Sequence, residues 1–424
     1  MINILDYTIG VPAEDLTKYC PGGYHPMSLN DRLHDGRYEI FHKLGFGSFS
    51  TVWLARDHHN ERNVTIKVVV ADRSVETARE LTILRALKER GDPAHPGWKH
   101  VSHLLESFYH EGPNGRHLCI VLGLLGPKPT SIADRCPDYR LGGHLARSVS
   151  RQLLLAVDYL HATGVAHGDI HMGNVLFRLP EHEESLELVM KDLGPPQIGK
   201  VQRRDGAPLE PGVPEYLVEP ADYNVKVQDR FTDVELIDFG ESFFITDPPK
   251  QISTPVSLHP PELVFQHSLT SAVDLWNLGC TTYELVIGRT PFESDYNDKE
   301  LVPQFEKVIG GFPAQWIQNA VDRGVMEKTP DNSSAEYFLP LEDELRRSYF
   351  EGHDAKTLPL REVEINTLGR YLRKLLVIDP TQRAKAHELL SDPWVSEESE
   401  IKGLAAATLP QPPKGNAKSP PAED

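Results

Sequence analysis

Cysteine is scarce in this chain. Its 424 residues include four: Cys20, Cys119, Cys136 and Cys280. None stands in a Cys-x-x-Cys pair, and they are too sparse for a disulfide framework, which favours a reducing compartment. Long apolar runs are absent as well. The run from Leu118 to Leu125 falls far short of the ~18 residues that a membrane span needs. The first residues, Met1-Ile2-Asn3-Ile4-Leu5-Asp6, have neither the basic nor the apolar region of a secretion leader. Positive charge is in deficit: Lys plus Arg is 44, Asp plus Glu is 62, and the net charge is −18. Such a chain is repelled by phosphate backbones and attracts basic partners. These absences exclude a secreted disulfide scaffold, a membrane-spanning protein and a direct nucleic-acid binder. They leave a soluble, cytoplasmic and/or nuclear protein, expected to be a monomer, with a basic peptide as its natural partner.

What is present is enough to fold. With 39% apolar and 25% charged residues the chain can build real cores, and its length suits two ordinary domains. Residues 1–37 are rich in turn formers, notably Pro21-Gly22-Gly23, and read as an extension packing on the lobe that begins at Tyr38. Strand-like runs occur at Tyr38–Leu44, Thr51–Ala55, Val64–Val70, Ser102–Tyr109 and His117–Leu122. Ala78, Leu81, Leu84, Ala86 and Leu87 recur at helical spacing. Residues 38–123 are thus a mostly antiparallel sheet with one helix. Residues 124–396 turn helical, with candidates at Leu145–His161, Leu269–Gly288, Leu301–Ile309, Ile365–Leu376 and Ala384–Leu390. The stretch 178–232 carries Pro180, Pro195, Pro196, Pro208, Pro211, Pro214 and Pro220. It is too long for a plain loop and reads as an insertion, partly disordered or wrapped on the surface. The tail 397–424 ends in Pro-, Lys- and Asp-rich sequence and is expected to be disordered.

Three clusters carry chemistry. Gly45-x-Gly47-x-x-Ser50-x-Val52 is either a tight hairpin turn or a cover whose backbone N–H groups approach phosphate oxygens. Lys67 lies inside the apolar strand Val64–Val69, where an unpartnered ammonium would cost several kcal/mol; Glu80 on the following helix is its candidate counter-ion. His167-Gly168-Asp169-Ile170-His171-Met172-Gly173-Asn174 follows a helix and precedes an apolar run. Its Asp169 and Asn174 suit a loop offering one carboxylate to a hydroxyl and one amide to a metal. Ile237-Asp238-Phe239-Gly240 ends a strand in a carboxylate followed by a turn, the disposition of a magnesium ligand.

In this order the clusters resemble the protein-kinase catalytic domain, over about Tyr38 to Trp394. The resemblance implies an α+β, bilobal fold: a small β-rich lobe over 38–123 and a larger helical lobe over 124–396. It implies ATP and Mg2+ as cofactors, with Lys67 on the α- and β-phosphates and paired to Glu80. Asp169 would take the substrate hydroxyl's proton, and Asn174 and Asp238 would hold magnesium. ATP would lie among Leu44, Gly45, Phe46, Gly47, Ser48, Val52, Thr65, Leu122 and Leu124. Glu262, Asp274 and Arg383 match family positions read here as structural. The lead-in Tyr19-Cys20-Pro21-Gly22-Gly23-Tyr24-His25-Pro26 and the run Phe46–Leu54 are similar to the SR-protein kinases. Members of that family phosphorylate serines in Arg/Ser-rich splicing factors and carry a spacer where this chain has 178–232. Leu301–Pro313 resembles the start of the extra insert of the wider CMGC group, here about 295–360.

The chain departs from that pattern at several points. His171 replaces the catalytic-loop lysine, so the γ-phosphate loses a permanent charge. Leu258-His259 stands where a tyrosine-arginine pair is usual. Gly168 replaces the arginine that many kinases pair with an activating phosphate, so activity independent of such a phosphate is expected. The motif with His171 is also similar to aminoglycoside and choline kinases, which makes a small-molecule phosphotransferase one alternative. A pseudokinase scaffold that binds partners without catalysis is the other.

Overall fold

The computed structural model describes residues 4–75, 78–136, 139–180, 185–223, 231–294, 298–322, 339–355 and 357–396. The tail expected at 397–424 and the parts 295–297 and 323–338 of the expected insert lie outside them. After the short β1 (Tyr7–Thr8) come β2 (Arg32–Leu33), β3 (Tyr38–Gly47), β4 (Ser50–Asp57), β5 (Arg62–Val69), α1 (Arg79–Arg90), β6 (Leu104–Gly112) and β7 (Gly115–Gly123). Strands β2 to β7 form one antiparallel sheet in the order β2-β3-β4-β5-β7-β6. Alternation along the strands divides its side chains between two cores. Leu54 and Ile120 face α1, packing with Leu81 and Leu84 in the main core. Trp53, Ile66, Val68 and Val121 face the other way, into a second core closed by Met27, Leu33 and Val218. Strand β3 runs on to Gly47 rather than stopping at Leu44, because Gly45 and Gly47 still pair with Val52 and Ser50. The helix read from Ala78 to Leu87 runs over Arg79–Arg90, with Ala78 as its N-cap.

The second lobe starts with α2 (Pro129–Ala133), α3 (Gly143–Ala162), β8 (Val165–Ala166) and β9 (Val175–Phe177). The inserted stretch supplies α4 (Leu186–Leu193), β10 (Ile198–Lys200), β11 (Gln202–Arg203) and β12 (Tyr216–Val218). Beyond it lie β13 (Val234–Leu236), β14 (Phe243–Phe244), α5 (Pro261–Val264), α6 (Ala272–Ile287), α7 (Asp298–Val308), α8 (Ala314–Asp322), α9 (Leu341–Phe350), α10 (Glu362–Leu375) and α11 (Ala386–Leu389). Helix α6 is buried nearly all round, its polar residues included: Asp274, Asn277, Thr281 and Thr282 are all inaccessible. A buried polar group must find partners, and three of these bind neighbouring loops. Asn277 donates to Leu258 O at 2.8 Å and Thr281 to Ile170 O at 3.2 Å. Asp274 accepts from the backbone N–H groups of His167 and Gly168, both at 2.8 Å. Gly288, in the left-handed region at φ 86°, ends the helix. Arg383 and Glu262 form a buried two-point ion pair at 2.6 Å, which fits the structural role read for them.

Of the two forms read for the insertion, partly disordered or wrapped on the surface, its described residues take the second. Over 185–223 it is ordered, because apolar side chains within the proline-rich sequence find partners at the other end of the chain. Val201, Val213 and Leu217 pack with Tyr7, Leu16, Tyr19 and Tyr24. Strand β11 pairs with β1, matching Tyr7 to Arg203. Its ends are pinned together: β9 pairs with β13, and Arg178 N–H donates to Asp233 O at 2.8 Å. Beneath the extension, Lys43 is inaccessible to solvent and paired with Glu14, which also accepts from Tyr19 Oη. The four cysteines are free thiols.

Two outcomes are expected for stability. Glu14→Ala strands a buried ammonium and should cost about 3–5 kcal/mol; an unchanged urea midpoint would refute the pairing. Acid should also loosen the extension. Burial, with His110 and His117 alongside, holds His25 down to about 3, whereas an unfolded histidine titrates near ~6.5. The unfolded state therefore takes up a proton that the folded state refuses. Stability should be level above that ordinary value and fall steadily as pH drops toward the folded one. His25→Phe should flatten that slope in urea titrations across the range.

Candidate active site

The glycine motif is the hairpin joining β3 to β4. Neither Gly45 nor Gly47 has the positive φ that would demand glycine for backbone reasons. A Cβ on either would meet no atom within 4 Å. The glycines therefore keep a space clear above the cleft rather than making a turn possible, which is what a phosphate-covering loop requires. Across the sheet, Val52 is opposite Lys67, and Leu54, Thr65 and Leu122 are in register. Thr65 and Leu122 thus share the cleft face with Val52 and Lys67, and Leu44 and Leu124 pack against the main core beside them. Phe46 is half exposed, with Lys43 Nζ 5.5 Å from its ring centre, and Ser48 lies at the hairpin tip.

Lys67 Nζ is 2.8 Å from Glu80 Oε1 and 2.9 Å from Asp238 Oδ1. Burial disfavours the ammonium, but the two carboxylates outweigh it and hold Lys67 above its ordinary value. Burial likewise opposes ionisation of Asp238, and Lys67 more than offsets it, so its carboxyl lies below the usual range. Asp238 has φ 65°, a left-handed conformation that costs a non-glycine residue energy and is found at functional sites.

The catalytic loop is held from three sides. His167 N–H and Gly168 N–H bind Asp274, Ser242 Oγ donates to His167 O at 2.9 Å, and Phe239 packs edge-on against the His167 ring. Gly168 has φ 80°, and a Cβ there would lie 2.7 Å from Glu241 O. Its lack of a side chain is thus a steric requirement as well as an absence of charge. Asn174 Nδ2 donates to Asp169 O at 2.9 Å and to Asp169 Oδ2 at 3.0 Å. Asp169 Oδ1 is buried without a partner. It is the acceptor this arrangement leaves for a substrate hydroxyl. His171 Nδ1 accepts the Gly173 N–H at 3.0 Å, so that nitrogen carries no proton. Its Nε2 lies 3.4 Å from Asp169 Oδ2. His171 thus lies beside Asp169 and braces the loop through Gly173.

Asp238 and Asn174 offer a carboxylate and an amide oxygen near the unpartnered Asp169 Oδ1. Hard oxygen donors few in number fit magnesium, which completes its shell with phosphate oxygens and water. A residue that sequence reading gave no role is His259. Its Nδ1 is 2.6 Å from Asp298 Oδ1 on α7, and its Nε2 is 3.0 Å from Thr254 O. The ring thus bridges two segments, one contact at each nitrogen. It pins the segment before Glu262 to α7. A lone histidine in a loop gives no sequence signal for such a contact.

The sequence profile of the protein kinase domain matches residues 38–199 and 222–395, passing over part of the insertion. A serine/threonine protein kinase of Aspergillus fumigatus is 30% identical over 401 residues, 92% of each chain. The serine/threonine-protein kinase SRPK of Physarum polycephalum is 26% identical over 418 residues, 91% of each. SRSF protein kinase 3 of Homo sapiens is 38% identical over 166 residues, 38% of this chain and 29% of that one. A crystal structure of a kinase domain superposes with a TM-score of 0.62 at 20% identity, over 88% of this chain and 99% of that one, which shows the fold.

Asp238→Ala should keep the fold and lose phosphoryl transfer by at least about a hundredfold; a folded variant with near-parental turnover would remove Asp238 from the site. Protein stripped by phosphatase, with mass spectrometry showing no residual phosphate, should retain its turnover, since Gly168 leaves no cationic side chain before Asp169 for a loop phosphate to neutralise. Activity that returns only when a residue between Asp238 and Glu262 is phosphorylated would refute this.

Proposed function

Because the chain belongs to the protein kinase family and is a serine/threonine kinase, we propose that it transfers the γ-phosphoryl group of MgATP to serines of basic, Arg/Ser-rich proteins. The observation that carries the reaction is the convergence of Lys67, Asp238, Asn174 and the partnerless Asp169 Oδ1 beneath an open glycine hairpin. Lys67 would hold phosphate oxygens. Asn174 and Asp238 would hold magnesium, which when bound neutralises phosphate charge. Asp169 Oδ1 would take the proton of the serine hydroxyl as its oxygen attacks the γ-phosphorus and ADP departs.

Two features support the substrate class. The net charge of −18 draws arginine-rich chains toward the protein, and relatives include kinases named for SRSF proteins. The local picture is mixed. Helix α7 bears Asp298, Glu300 and Glu306 beside Lys299 and Lys307. Asp298 is committed to His259, and Glu300 accepts from Ser294. Attraction therefore rests on the summed field more than on this helix. A monomer acting in the cytoplasm or nucleus suits such substrates.

An Arg/Ser peptide should be phosphorylated on serine in preference to a panel of small alcohols, aminoglycosides and choline included. Its KM should rise several-fold between low and physiological ionic strength, because a screened long-range attraction weakens with salt. Transfer confined to a small alcohol, or a peptide KM indifferent to salt, would overturn the substrate class.

A further inference from the structure

Pro21-Gly22-Gly23 and its flanks do more than cover the sheet. Tyr24 Oη donates to Gly47 O at 2.6 Å, and Lys18 Nζ donates to Ser48 O at 3.2 Å. Both acceptors are carbonyls at the tip of the glycine hairpin. In a trans peptide the carbonyl and the following N–H point in opposite directions, and no described peptide is cis. Fixing these two carbonyls toward the extension therefore turns the N–H groups of Ser48 and Phe49 away from it.

The two donors are built as one unit. Tyr24 N–H donates to Lys18 O at 2.9 Å. A Cβ on Gly23 would lie 1.8 Å from that same oxygen, so only glycine lets the chain close there. The unit is braced from behind. Asn114 Nδ2 donates to Tyr24 O and to Gly212 O of the insertion, at 2.8 and 2.9 Å. Gly23 O accepts from Ala71 N–H at 3.1 Å. Burial pushes the Tyr24 phenol up to about 12, which keeps it a donor across the working pH range.

Resting on the MgATP reading above, we propose that the N-terminal extension is a clamp on the nucleotide site. Lys18 and Tyr24 are positioning residues that hold the hairpin tip with its N–H groups toward the nucleotide phosphates and thereby slow nucleotide release. The extension and the insertion, joined through Asn114 and the β1–β11 pair, form its frame.

The test uses the full chain, a fluorescent ADP analogue with Mg2+, and stopped-flow release, together with KM values for ATP and for an Arg/Ser peptide. Tyr24→Phe removes one hydroxyl and keeps the ring. It should speed release and raise the KM for ATP by about three- to tenfold, the effect of one lost hydrogen bond. Lys18→Met should act in the same direction, and Lys18→Arg should restore the parental rate. The peptide KM should stay within about 1.5-fold of the parent, well inside the loss expected for a hydrogen bond. Release and ATP KM unchanged in folded Tyr24→Phe and Lys18→Met would overturn the clamp, even if their Tm falls. A parent that binds ADP but transfers nothing to the peptide would count against the substrate reading alone. A parent that binds no ADP would overturn the nucleotide reading and the clamp with it.

Discussion

Asp274 is a carboxylate without access to water, and burial alone would keep it protonated. Donors converge on it instead: the His161 ring at 2.9 Å and the backbone N–H groups of His167 and Gly168. Their effect exceeds the burial penalty and holds Asp274 below its ordinary value. An ionised carboxylate in that position dictates the path of the chain around it. The two N–H groups can reach it together only if the backbone turns sharply, which Gly168 allows at φ 80°. That turn aims Asp169 into the cleft and brings His167 under Phe239. His167 Nε2 then lies 3.1 Å from Ile237 O, one residue ahead of Asp238. Asp169, Asp238 and the central helix are thus fixed relative to one another through one buried charge.

Lys67 performs the corresponding task between the lobes. It rises from β5 of the small lobe, its first partner Glu80 comes from α1, and its second, Asp238, comes from the large lobe. A single ammonium joined to both carboxylates sets the distance across the cleft. Neither carboxylate would remain ionised as readily without it, since the ammonium offsets the desolvation of each.

These contacts differ in how visible they are in the amino-acid order. Lys67 in an apolar strand and Glu80 on the next helix were legible, because a buried ammonium needs a counter-ion and the intervening residues have recognisable periods. The strand-rich first part and helical second part were legible for the same reason, and the bilobal arrangement followed from the resemblance to the protein-kinase domain. Strand limits near the hairpin were less so: Gly45 and Gly47 suggest a loop, yet the backbone ladder continues through them because pairing needs no side chain. The direct contact of Lys67 with Asp238 spans 171 residues, and no local pattern encodes such a separation. His259 was illegible in another way. Its role comes from two acceptors on separate segments, and only the fold places them at its two nitrogens. Proline density left 178–232 open between partial disorder and a segment wrapped on the surface, since proline breaks ladders and weakens helix prediction. What ordered it was a set of apolar side chains whose partners lie near the start of the chain.

That order has a consequence for how the lobes move. The insertion leaves the large lobe after β9 and returns at β13, with its ends hydrogen-bonded, so its length adds little loop-closure cost to the fold. Between those points it reaches the small lobe: Val218 enters the sheet's outer core, and Ala221 N–H donates to Lys43 O at 2.9 Å. On its way back Tyr223 Oη donates to Leu125 O at 2.8 Å, just past the end of β7 where the lobes join. A segment anchored to both lobes and to the connection between them resists wide opening of the cleft, because opening must break contacts that close only in one relative position. The motion left to the nucleotide site is the smaller one of the hairpin itself. In this chain that hairpin is held from outside by Lys18 and Tyr24, so the remaining freedom also passes through the extension.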